Sequence, residues 1–310
     1  MEVIKINSIA DIPLLDCHLT ASIGEFDGIH LAHQYLIKRV LKTSINTNTK
    51  SAIITFDPHP DQLIKKDVVK TIFSLNEKIK SFAKYGIDYL FIINFDEKLL
   101  KMPHQEFTKN YLKPLKIVNL VVGFDFRYGY LGLGNKDTIL KEGIKNIEVI
   151  DKMYDEEQII SSTYIKELLV NGKVEIANKL LDKNFTLIGE VIHGRNVGEK
   201  INVPTANLLL SHNYPDLKEG VYAVKCKIND QKYMGIANIG HNPSFNYYQN
   251  LSYEIHIIEE GFDKDLYNQT IEVEFIKYLR SEKVFESIEA FKEQINQDKK
   301  EAVLILNNAL

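Results

Sequence analysis

The chain has 310 residues, of which 45% are hydrophobic and 26% are charged, and its formal net charge is −4. This length favours two domains, and the hydrophobic content is sufficient for a buried core in each. The mildly acidic charge balance argues against nucleic-acid-binding and membrane-surface proteins, which are usually basic. Small molecules are therefore the expected partners, and nothing in the sequence indicates an oligomeric state.

The cysteines and the apolar segments predict a cytoplasmic protein. Cys17 and Cys226 have neither the close spacing of a zinc site nor the pattern of a disulfide framework. The N-terminal residues lack the cationic and apolar stretches of a secretory signal, and no uncharged segment approaches the ~20 residues that cross a bilayer. We therefore expect neither export nor membrane insertion.

Apolar runs of strand length alternate with helical patterns up to about residue 184. One helix is marked by a capping box at Ser74 and Glu77 and by Gly86 at its end. Continuous apolar strands separated by helices are typical of a parallel sheet covered on both faces, so a doubly wound α/β domain is predicted for residues 1–184. The predicted strands are Leu19–Ile23, Ala52–Phe56, Tyr89–Ile93, Val118–Val122 and Ile147–Ile150.

The first of these strands runs into a turn, Gly24–His33, that leads directly into an amphipathic helix. Gly24 and Gly28 let the backbone approach an anion closely, and the N–H groups and positive dipole end of the helix attract it. His30 and His33 are one helical turn apart and can donate hydrogen bonds to phosphate oxygens. The turn therefore predicts a phosphate site for nucleotide chemistry.

Two other interpretations of these histidines remain open. They can be ordinary capping or surface residues, or they can bind a transition metal with Asp27 as a third ligand, as in a metal-dependent hydrolase. Neither alternative explains the two glycines in a strand–turn–helix setting, so phosphate binding is favoured.

Further polar segments follow other strands of this half. Asp57–Pro60 and Gly123–Gly129 come directly after two predicted strands, and ligands bind beyond the carboxyl ends of the strands in such sheets. Ser161–Thr163 is a natural N-cap cluster for the next helix. With Lys166 on the same first turn, it forms a second candidate anion clamp.

From Phe185 onward short β-rich segments dominate, and their connections are too short for crossover helices. Antiparallel strands that close into a small barrel are therefore predicted for residues 185–310, with a final helix from about Ser287 packed across the barrel. The predicted strands are Thr186–Ile192, Asn207–Leu210, Gly220–Ile228, Lys232–Ile239, Ser252–Ile258 and Ile271–Tyr278.

One carboxylate in this half is unusual. Glu254 is expected to share a strand face with Ser252 and His256 on the barrel interior, while its immediate neighbours face the other way. A buried charge must be paired, so Glu254 is either the partner of a structural ion pair or a catalytic base. Arg280 raises the same choice, and residue spacing favours neither.

Taken in order, these motifs resemble the bacterial bifunctional riboflavin kinase/FMN adenylyltransferases, also called FAD synthetases, along essentially the whole chain. In the first half the resemblance is carried by Gly24–His33, Thr55–Pro60, Val122–Gly129, Ile160–Thr163 and Val174–Leu181. In the second half it is carried by Pro204–Asn207, Gly220–Val224, Ala237–Gly240, Tyr253–His256, Asp265–Tyr267 and Leu279–Glu282.

This resemblance implies two ATP- and Mg²⁺-dependent reactions. A nucleotidyltransferase-type α/β domain would transfer AMP from ATP to FMN, giving FAD, and a β-barrel kinase domain would phosphorylate riboflavin to FMN. ATP, FMN, riboflavin and FAD are therefore the implied ligands. Two further interpretations stay open: a single-activity FMN adenylyltransferase with a weak or inactive kinase domain, and a non-catalytic flavin-binding regulator.

The resemblance also implies the roles of individual residues. His30 and His33 would stabilise the charge that develops in adenylyl transfer, and Glu254 would be the base that accepts the riboflavin hydroxyl proton. The first domain would bind nucleotide and flavin through Gly24, Phe26, Asp27, Gly28, Asp57, His59, Asp125, Ser162, Thr163 and Lys166. In the kinase domain Thr205 and Asn207 would bind Mg²⁺–ATP, the loop containing Gly194 and Gly198 would cover the phosphates, and Arg280 would lie beside the flavin.

Several positions depart from the family pattern. Tyr164 and Lys166 stand where an Arg-x-Arg pair is usual, so one cation is lost and the other becomes a point charge. In the kinase module Glu199 and Asn242 each replace a usual arginine. Because these changes remove positive charge near the expected ATP phosphates, the resemblance implies a kinase activity that is weaker, relative to adenylyl transfer, than in family members with the full set of arginines.

Overall fold

The computed structural model describes residues 1–193, 205–241, 251–259, 262 and 265–308. The chain divides into two compact units, Met1–Ser162 and Thr163–Leu310. The domain limit at residue 184 stays a prediction, and the two helices between these points are described below with the second unit.

A six-stranded parallel sheet forms the centre of the first unit, in the order β1-β4-β3-β2-β5-β6. Ile53 and Ile54 are consecutive residues of one strand, so their side chains lie on opposite faces of the sheet. Both are fully buried, as continuous apolar strands require when helices cover both faces. The strands are β1 (Glu2–Ile6), β2 (Leu19–Ile23), β3 (Lys50–Asp57), β4 (Tyr89–Asn94), β5 (Ile117–Gly123) and β6 (Asn146–Ile150), and a small hairpin, β7 (Tyr154–Asp155) and β8 (Gln158–Ile159), follows.

The helices of this unit connect and cover the strands. In α3 the predicted capping box is present: the Glu77 amide donates to Ser74 Oγ at 3.3 Å, and the Ser74 amide donates to Glu77 Oε2 at 2.9 Å. Gly86 ends this helix with a φ of 75°. The helices are α1 (Leu31–Asn46), α2 (Pro60–Lys65), α3 (Leu75–Tyr85), α4 (Glu97–Leu100), α5 (His104–Phe107) and α6 (Lys136–Lys141), with short 3₁₀ turns at Ile9–Asp11, Asp27–Ile29 and Tyr130–Gly132 and a π-turn at Thr108–Leu112.

The second unit contains a closed antiparallel barrel in the order β10-β13-β12-β11-β14-β9. Its interior is filled by aromatic side chains such as Tyr222, Phe185 and Phe275, all fully buried. The strands are β9 (Phe185–Ile192), β10 (Ala206–Leu210), β11 (Gly220–Ile228), β12 (Gln231–Gly240), β13 (Ser252–Ile257) and β14 (Thr270–Arg280). The predicted fold class, a doubly wound domain followed by an antiparallel barrel with a C-terminal helix, is confirmed.

Two short helices precede the barrel, α7 (Ser162–Val170) and α8 (Val174–Leu181). Asn178 of α8 donates through Nδ2 to the Phe275 carbonyl at 2.8 Å and accepts at Oδ1 from the Phe185 amide at 2.7 Å. This side chain therefore fastens α8 to two adjacent barrel strands.

The C-terminal helix, Ile288–Asn308, lies across the outer face of the barrel. Its Ile295, Ala302 and Leu306 form one apolar cluster with Val221 and Ala223 of β11. Among the described residues, no helix is both long and apolar enough to pass through a lipid bilayer.

Candidate active sites

The turn between β2 and α1 holds the backbone in conformations that suit an anion site. Gly24 follows the last residue of β2, and Phe26, Gly28 and Ile29 then have positive φ angles of 50°, 79° and 44°. Glycine adopts a positive φ at no steric cost, which explains why Gly28 stands at its position. His30 is the N-cap of α1, and its side chain makes no capping hydrogen bond. The first N–H groups of α1 are therefore not capped by this side chain, as binding of an anion there requires.

The rings of His30 and His33 stack above this turn, with centroids 3.7 Å apart. Both Nδ1 atoms are buried and have no hydrogen-bond partner in the part of the chain that the structure describes. Burial lowers the pKa of His30 to about 4, although Asp27 opposes the change. Burial also holds the pKa of His33 well below its usual value, and the charges of His30 and Lys78 add to this effect. Near neutral pH both imidazoles are therefore neutral hydrogen-bonding groups, not cations.

Two of the predicted ligand-binding residues, Phe26 and Asp27, make buried contacts that stabilise the turn. Phe26 is 2% exposed and packs edge-on against Phe82, with ring centroids 5.4 Å apart. Asp27 is also buried, and its Oδ1 accepts hydrogen bonds from the amides of Ile72 at 2.7 Å and Phe73 at 3.2 Å. Both side chains therefore contribute to the shape of the turn, and their contact with a ligand stays a prediction.

The predicted anion clamp begins beside the same turn. Ser162 Oγ donates to the Asp27 carbonyl at 2.9 Å, so this hydroxyl holds the first residue of the 3₁₀ turn. Thr163 and Lys166 follow in α7 and belong to the second compact unit. Their contribution to phosphate binding stays a prediction.

Sequence reasoning missed a pair at this turn, the buried Lys78 and the partly exposed Glu25, whose carboxyl oxygens are buried. Lys78 Nζ donates to the Glu25 carbonyl at 2.7 Å and lies 3.9 Å from Glu25 Oε2. Burial raises the pKa of Glu25 to about 8, even though the Lys78 ammonium opposes the change. The available signal was the position of Lys78 in the apolar stripe of α3, three residues after Leu75 and four before Phe82.

His59, predicted to line the nucleotide pocket, also lies next to Glu25. Its Nδ1 accepts the Asp61 amide at 3.1 Å, which places the proton of the neutral ring on Nε2. This Nε2 lies 3.8 Å from Glu25 Oε2. The structure thus brings the second predicted motif of the α/β domain to the Gly24–His33 turn.

Two other predicted residues, Asp57 and Asp125, are exposed where β3 and β5 end. Both strands pair with β2 in the parallel sheet, so their carboxyl ends share one edge with Gly24. The sheet order therefore places these two residues at the same edge of the sheet as the Gly24–His33 turn, and their contact with a ligand stays a prediction.

The loop that contains Asp125 is supported by a hydrogen-bonded group that the sequence did not reveal. His104 Nδ1 and Glu142 Oε1 are 2.5 Å apart, and Tyr128 OH donates to Glu142 Oε2 at 2.8 Å. Gly129 and Gly134 pack so closely on His104 that an added Cβ would lie within 2.7 Å of its atoms. Both glycines are therefore needed for this close packing.

A cavity of about 220 Å³ lies on the outer face of the barrel, under the C-terminal helix. Its apolar wall includes Ile236, Phe285 and Phe291. Three predicted site residues, Thr205, Glu254 and Arg280, line it together with His256, Asn238 and Asp298. Residues from four barrel strands and from the C-terminal helix thus line the same cavity.

Glu254 faces this cavity and not the barrel interior, so the predicted interior position is wrong. Its cross-strand partners are Asn207 of β10 and Asn238 of β12. The interior side of β13 is taken by Tyr253 and Ile255, which are almost fully buried. The alternation itself was predicted correctly, and the reason for the error is that the C-terminal helix buries part of the outer face as well.

Arg280 and Asp298 form a bidentate ion pair at the cavity wall. Arg280 Nε donates to Asp298 Oδ1 at 2.9 Å, and its NH2 group donates to Oδ2 at 2.7 Å. The guanidinium carbon lies 5.9 Å from the centroid of the Phe285 ring. The sequence predicted Arg280 as a site residue but gave no indication of its partner.

Some predicted residues lie outside the described part of the chain. These are Gly194 and Gly198 of the predicted phosphate loop, and Glu199 and Asn242, which depart from the family pattern. Their assignments stay predictions.

The hydrolase alternative is contradicted by the side-chain geometry. Within the described ranges, no three His, Cys, Asp or Glu side chains are grouped so as to hold a metal ion. His30 and His33 stack on each other, and Asp27 Oδ1 bonds to backbone amides. These three side chains therefore do not form a transition-metal centre.

Family models match both halves of the chain. A model described as FAD synthetase matches residues 15–164, and one described as riboflavin kinase matches residues 181–306. The two matches do not overlap, and each contains one of the two clusters of predicted site residues.

Curated proteins named bifunctional riboflavin kinase/FMN adenylyltransferase are similar over nearly the whole chain. The protein of Buchnera aphidicola subsp. Schizaphis graminum is 37% identical, covering 94% of this chain and 96% of its own. The protein of Bacillus subtilis (strain 168) is 34% identical, covering 93% and 92%. The protein of Escherichia coli (strain K12) is 31% identical, covering 94% of each.

A crystal structure of a Streptococcus pneumoniae protein described as a macrolide-efflux protein is also similar. It has a TM-score of 0.87 and 27% sequence identity, and the match covers 96% of this chain and 97% of that one. The likeness extends the agreement in fold over nearly the full length of both chains. Its description differs in activity from the names of the curated relatives, which agree with both family models.

Proposed function

Because the chain belongs to the family of bifunctional riboflavin kinase/FMN adenylyltransferases, we propose that it performs the two reactions in succession at the two sites described above. Riboflavin is phosphorylated by ATP to FMN, and FMN then receives AMP from a second ATP to give FAD and pyrophosphate. The observation that carries this conclusion is the pair of non-overlapping family matches, at residues 15–164 and 181–306.

In adenylyl transfer, the FMN phosphate attacks the α-phosphorus of ATP and pyrophosphate leaves. The reaction needs no covalent enzyme intermediate, so the protein contributes by positioning the reactants and stabilising charge. We assign this work to the Gly24–His33 turn: the first N–H groups of α1 and the neutral rings of His30 and His33 donate hydrogen bonds to phosphate oxygens. The stacked rings and the positive φ of Gly28 support this assignment.

In riboflavin phosphorylation, a ribityl hydroxyl attacks the γ-phosphorus of ATP and ADP leaves. The hydroxyl is a weak nucleophile near neutral pH, so a carboxylate that accepts its proton accelerates the step. We assign this role to Glu254, since it lines the cavity together with Thr205 and Arg280.

The donor atoms near Glu254 suit Mg²⁺. Thr205 offers a hydroxyl oxygen and Asn207 an amide oxygen, and Asn207 is the direct cross-strand partner of Glu254. Hard oxygen donors of this kind are the ligands that Mg²⁺ prefers, and a bound Mg²⁺ would neutralise phosphate charge. We propose Thr205 and Asn207 as the residues that hold Mg²⁺–ATP in the kinase reaction.

One reciprocal experiment tests both assignments. The purified protein is supplied with ATP, Mg²⁺ and either riboflavin or FMN, and the flavins are separated over time. Glu254→Gln should abolish conversion of riboflavin and leave FAD formation from FMN intact. Replacing both His30 and His33 with Ala should have the opposite effect, so that FMN accumulates from riboflavin.

The pattern of losses identifies what is wrong if the proposal fails. Normal FAD formation in the double His variant would refute the role of the histidines, and undiminished FMN formation in the Glu254 variant would refute the base. Saturable flavin binding with no turnover by the wild type would instead identify a non-catalytic flavin-binding protein.

A further inference from the structure

The Arg280–Asp298 pair joins the last barrel strand to the C-terminal helix at the wall of the kinase cavity. Asp298 lies on the buried face of this helix, three residues after Ile295 and four before Ala302. Its side chain is only 3% exposed, and that of Arg280 is 16% exposed. A carboxylate in an apolar stripe is unfavourable unless it is paired, and apolar residues in place of such a buried pair are often as stabilising, so stability alone does not account for it.

Asp298 accepts more hydrogen bonds than those from Arg280. Gln294 Nε2 donates to Asp298 Oδ1 at 3.0 Å, and Lys283 Nζ donates to Gln294 Oε1 at 3.1 Å. The carboxylate is thereby fixed from its own helix as well as from β14. A rigid carboxylate with bidentate geometry in turn fixes the plane of the guanidinium.

This arrangement limits what Arg280 can contribute to a ligand. Its positive charge is already compensated by Asp298, and its NH1 group donates to the Ser281 carbonyl at 3.0 Å. A cation neutralised in this way attracts phosphates weakly, but its flat face remains suited to an aromatic ring. The neighbouring wall of the cavity is apolar, with Phe285 near the guanidinium and Phe291 beyond it.

We propose that Asp298 is a positioning residue for riboflavin: it holds the Arg280 guanidinium flat against the aromatic part of this substrate, and not toward the ATP phosphates. The inference rests on the proposed kinase function and adds a residue to it. It predicts that losing Asp298 weakens riboflavin binding and leaves the apparent affinity for ATP nearly unchanged.

The test compares Asp298→Asn with the wild type in steady-state riboflavin phosphorylation. The variant should raise KM for riboflavin about tenfold, while KM for ATP and kcat change less than about twofold; a tenfold change corresponds to about 1.4 kcal/mol. Glu301→Gln is the matched control, because it removes the same charge from an exposed position of the same helix and should change nothing. A merely structural role would instead lower kcat and affect both substrates.

A binding measurement keeps the inference separate from catalysis. Riboflavin affinity is measured by quenching of flavin fluorescence in Glu254→Gln, with and without Asp298→Asn. A tenfold weaker affinity in the double variant supports the inference. Equal affinity overturns the role of Asp298 and leaves the proposed kinase function standing. No riboflavin binding by the wild type would overturn the proposed kinase function and this inference with it.

A second variant covers the case in which Asp298→Asn does not fold. Asp298→Glu keeps the charge and the ion pair, but its side chain is longer by one methylene group and therefore displaces the guanidinium. Thermal unfolding establishes that the barrel of this variant is folded. An increase in KM for riboflavin, without one for ATP, is expected here as well. A folded Asp298→Glu protein with wild-type KM for riboflavin would overturn the inference.

Discussion

The imidazole rings of His30 and His33 stack at a centroid distance of 3.7 Å, with 17° between their planes. Two protonated rings at this distance would repel each other, and burial already disfavours the charged form of each. The Gly24–His33 turn therefore contains two neutral rings. This has a consequence for the stability of the protein in acid.

We predict that the fold loses stability as the pH falls from about 6.5 to about 4, the interval between the usual and the folded pKa of His30. The unfolded chain binds a proton in this range and the folded protein does not, so acid favours unfolding. The shift corresponds to about 3 kcal/mol. Thermal unfolding of the wild type and of His30→Gln between pH 4 and pH 8 measures the effect, and the variant should show a flatter dependence. An equally steep decline in both proteins would contradict the prediction.

Glu25 predicts the opposite trend on the alkaline side. Its folded pKa of about 8 lies above the usual value of 4.5, so the folded protein holds this proton more tightly than the unfolded chain. The stabilising contribution is present below about pH 4.5 and is lost as the pH rises to about 8. Glu25→Gln keeps the shape of the neutral acid and should remove this loss, so that the variant is the more stable protein at pH 8.5.

The groups around Glu25 give the same substitution a catalytic consequence. Lys78 and His59 face its carboxylate, and the charges of Asp27, Asp57 and Asp61 also act on it. Ionised Glu25 would place another negative charge beside the phosphates of ATP and FMN. We therefore expect FAD formation by the wild type to decline above about pH 8 and that of Glu25→Gln to decline less, while riboflavin phosphorylation serves as the internal control. Identical alkaline profiles would refute this role.

We predict that Lys78 is needed for a normal rate of adenylyl transfer, because its ammonium group donates a hydrogen bond to the backbone of the Gly24–His33 turn. It donates to the Glu25 carbonyl at 2.7 Å from a buried position in α3. Lys78→Met keeps the length of the apolar stem but leaves that carbonyl without this donor. FAD formation from FMN should fall at least tenfold, with riboflavin phosphorylation unchanged. Lys80→Met, an exposed position of the same helix, is the matched control; equal rates in the two variants would show that the contact has no catalytic role.

The periodicity of the sequence was sufficient to predict most of the fold. Strands Leu19–Ile23 and Gly220–Ile228 were predicted with the bounds that the structure shows. Strand β1 (Glu2–Ile6) was missed because Glu2 and Lys5 interrupt its apolar pattern at an edge of the sheet. Continuous apolar runs identify buried central strands, whereas a half-exposed edge strand gives a weaker signal.

The sequence indicated candidate site residues singly or within local motifs, and it did not indicate their distant partners. The Gly24–His33 turn is contiguous, so its glycines and histidines could be read together. The contact of Glu25 with Lys78 joins positions 53 residues apart, and that of Arg280 with Asp298 joins positions 18 apart. Such pairs depend on how helices pack against the sheet and the barrel, and the local spacing of residues does not predict this packing.

The last prediction concerns the balance between the two reactions. Glu199 stands where the family usually has an arginine, in the predicted loop over the ATP phosphates, outside the described residues. An anion beside phosphates adds repulsion where a cation would add attraction, so the wild-type kinase should have a high KM for ATP. Glu199→Arg should lower KM for ATP several-fold at low salt, and the gain should shrink as added salt screens the charges.

Glu157→Arg makes the same charge change at an exposed position of the first unit and should leave riboflavin phosphorylation unchanged. If both variants lower KM equally, net charge is responsible; if neither does, Glu199 does not lie near ATP, and the weak-kinase prediction loses its physical basis.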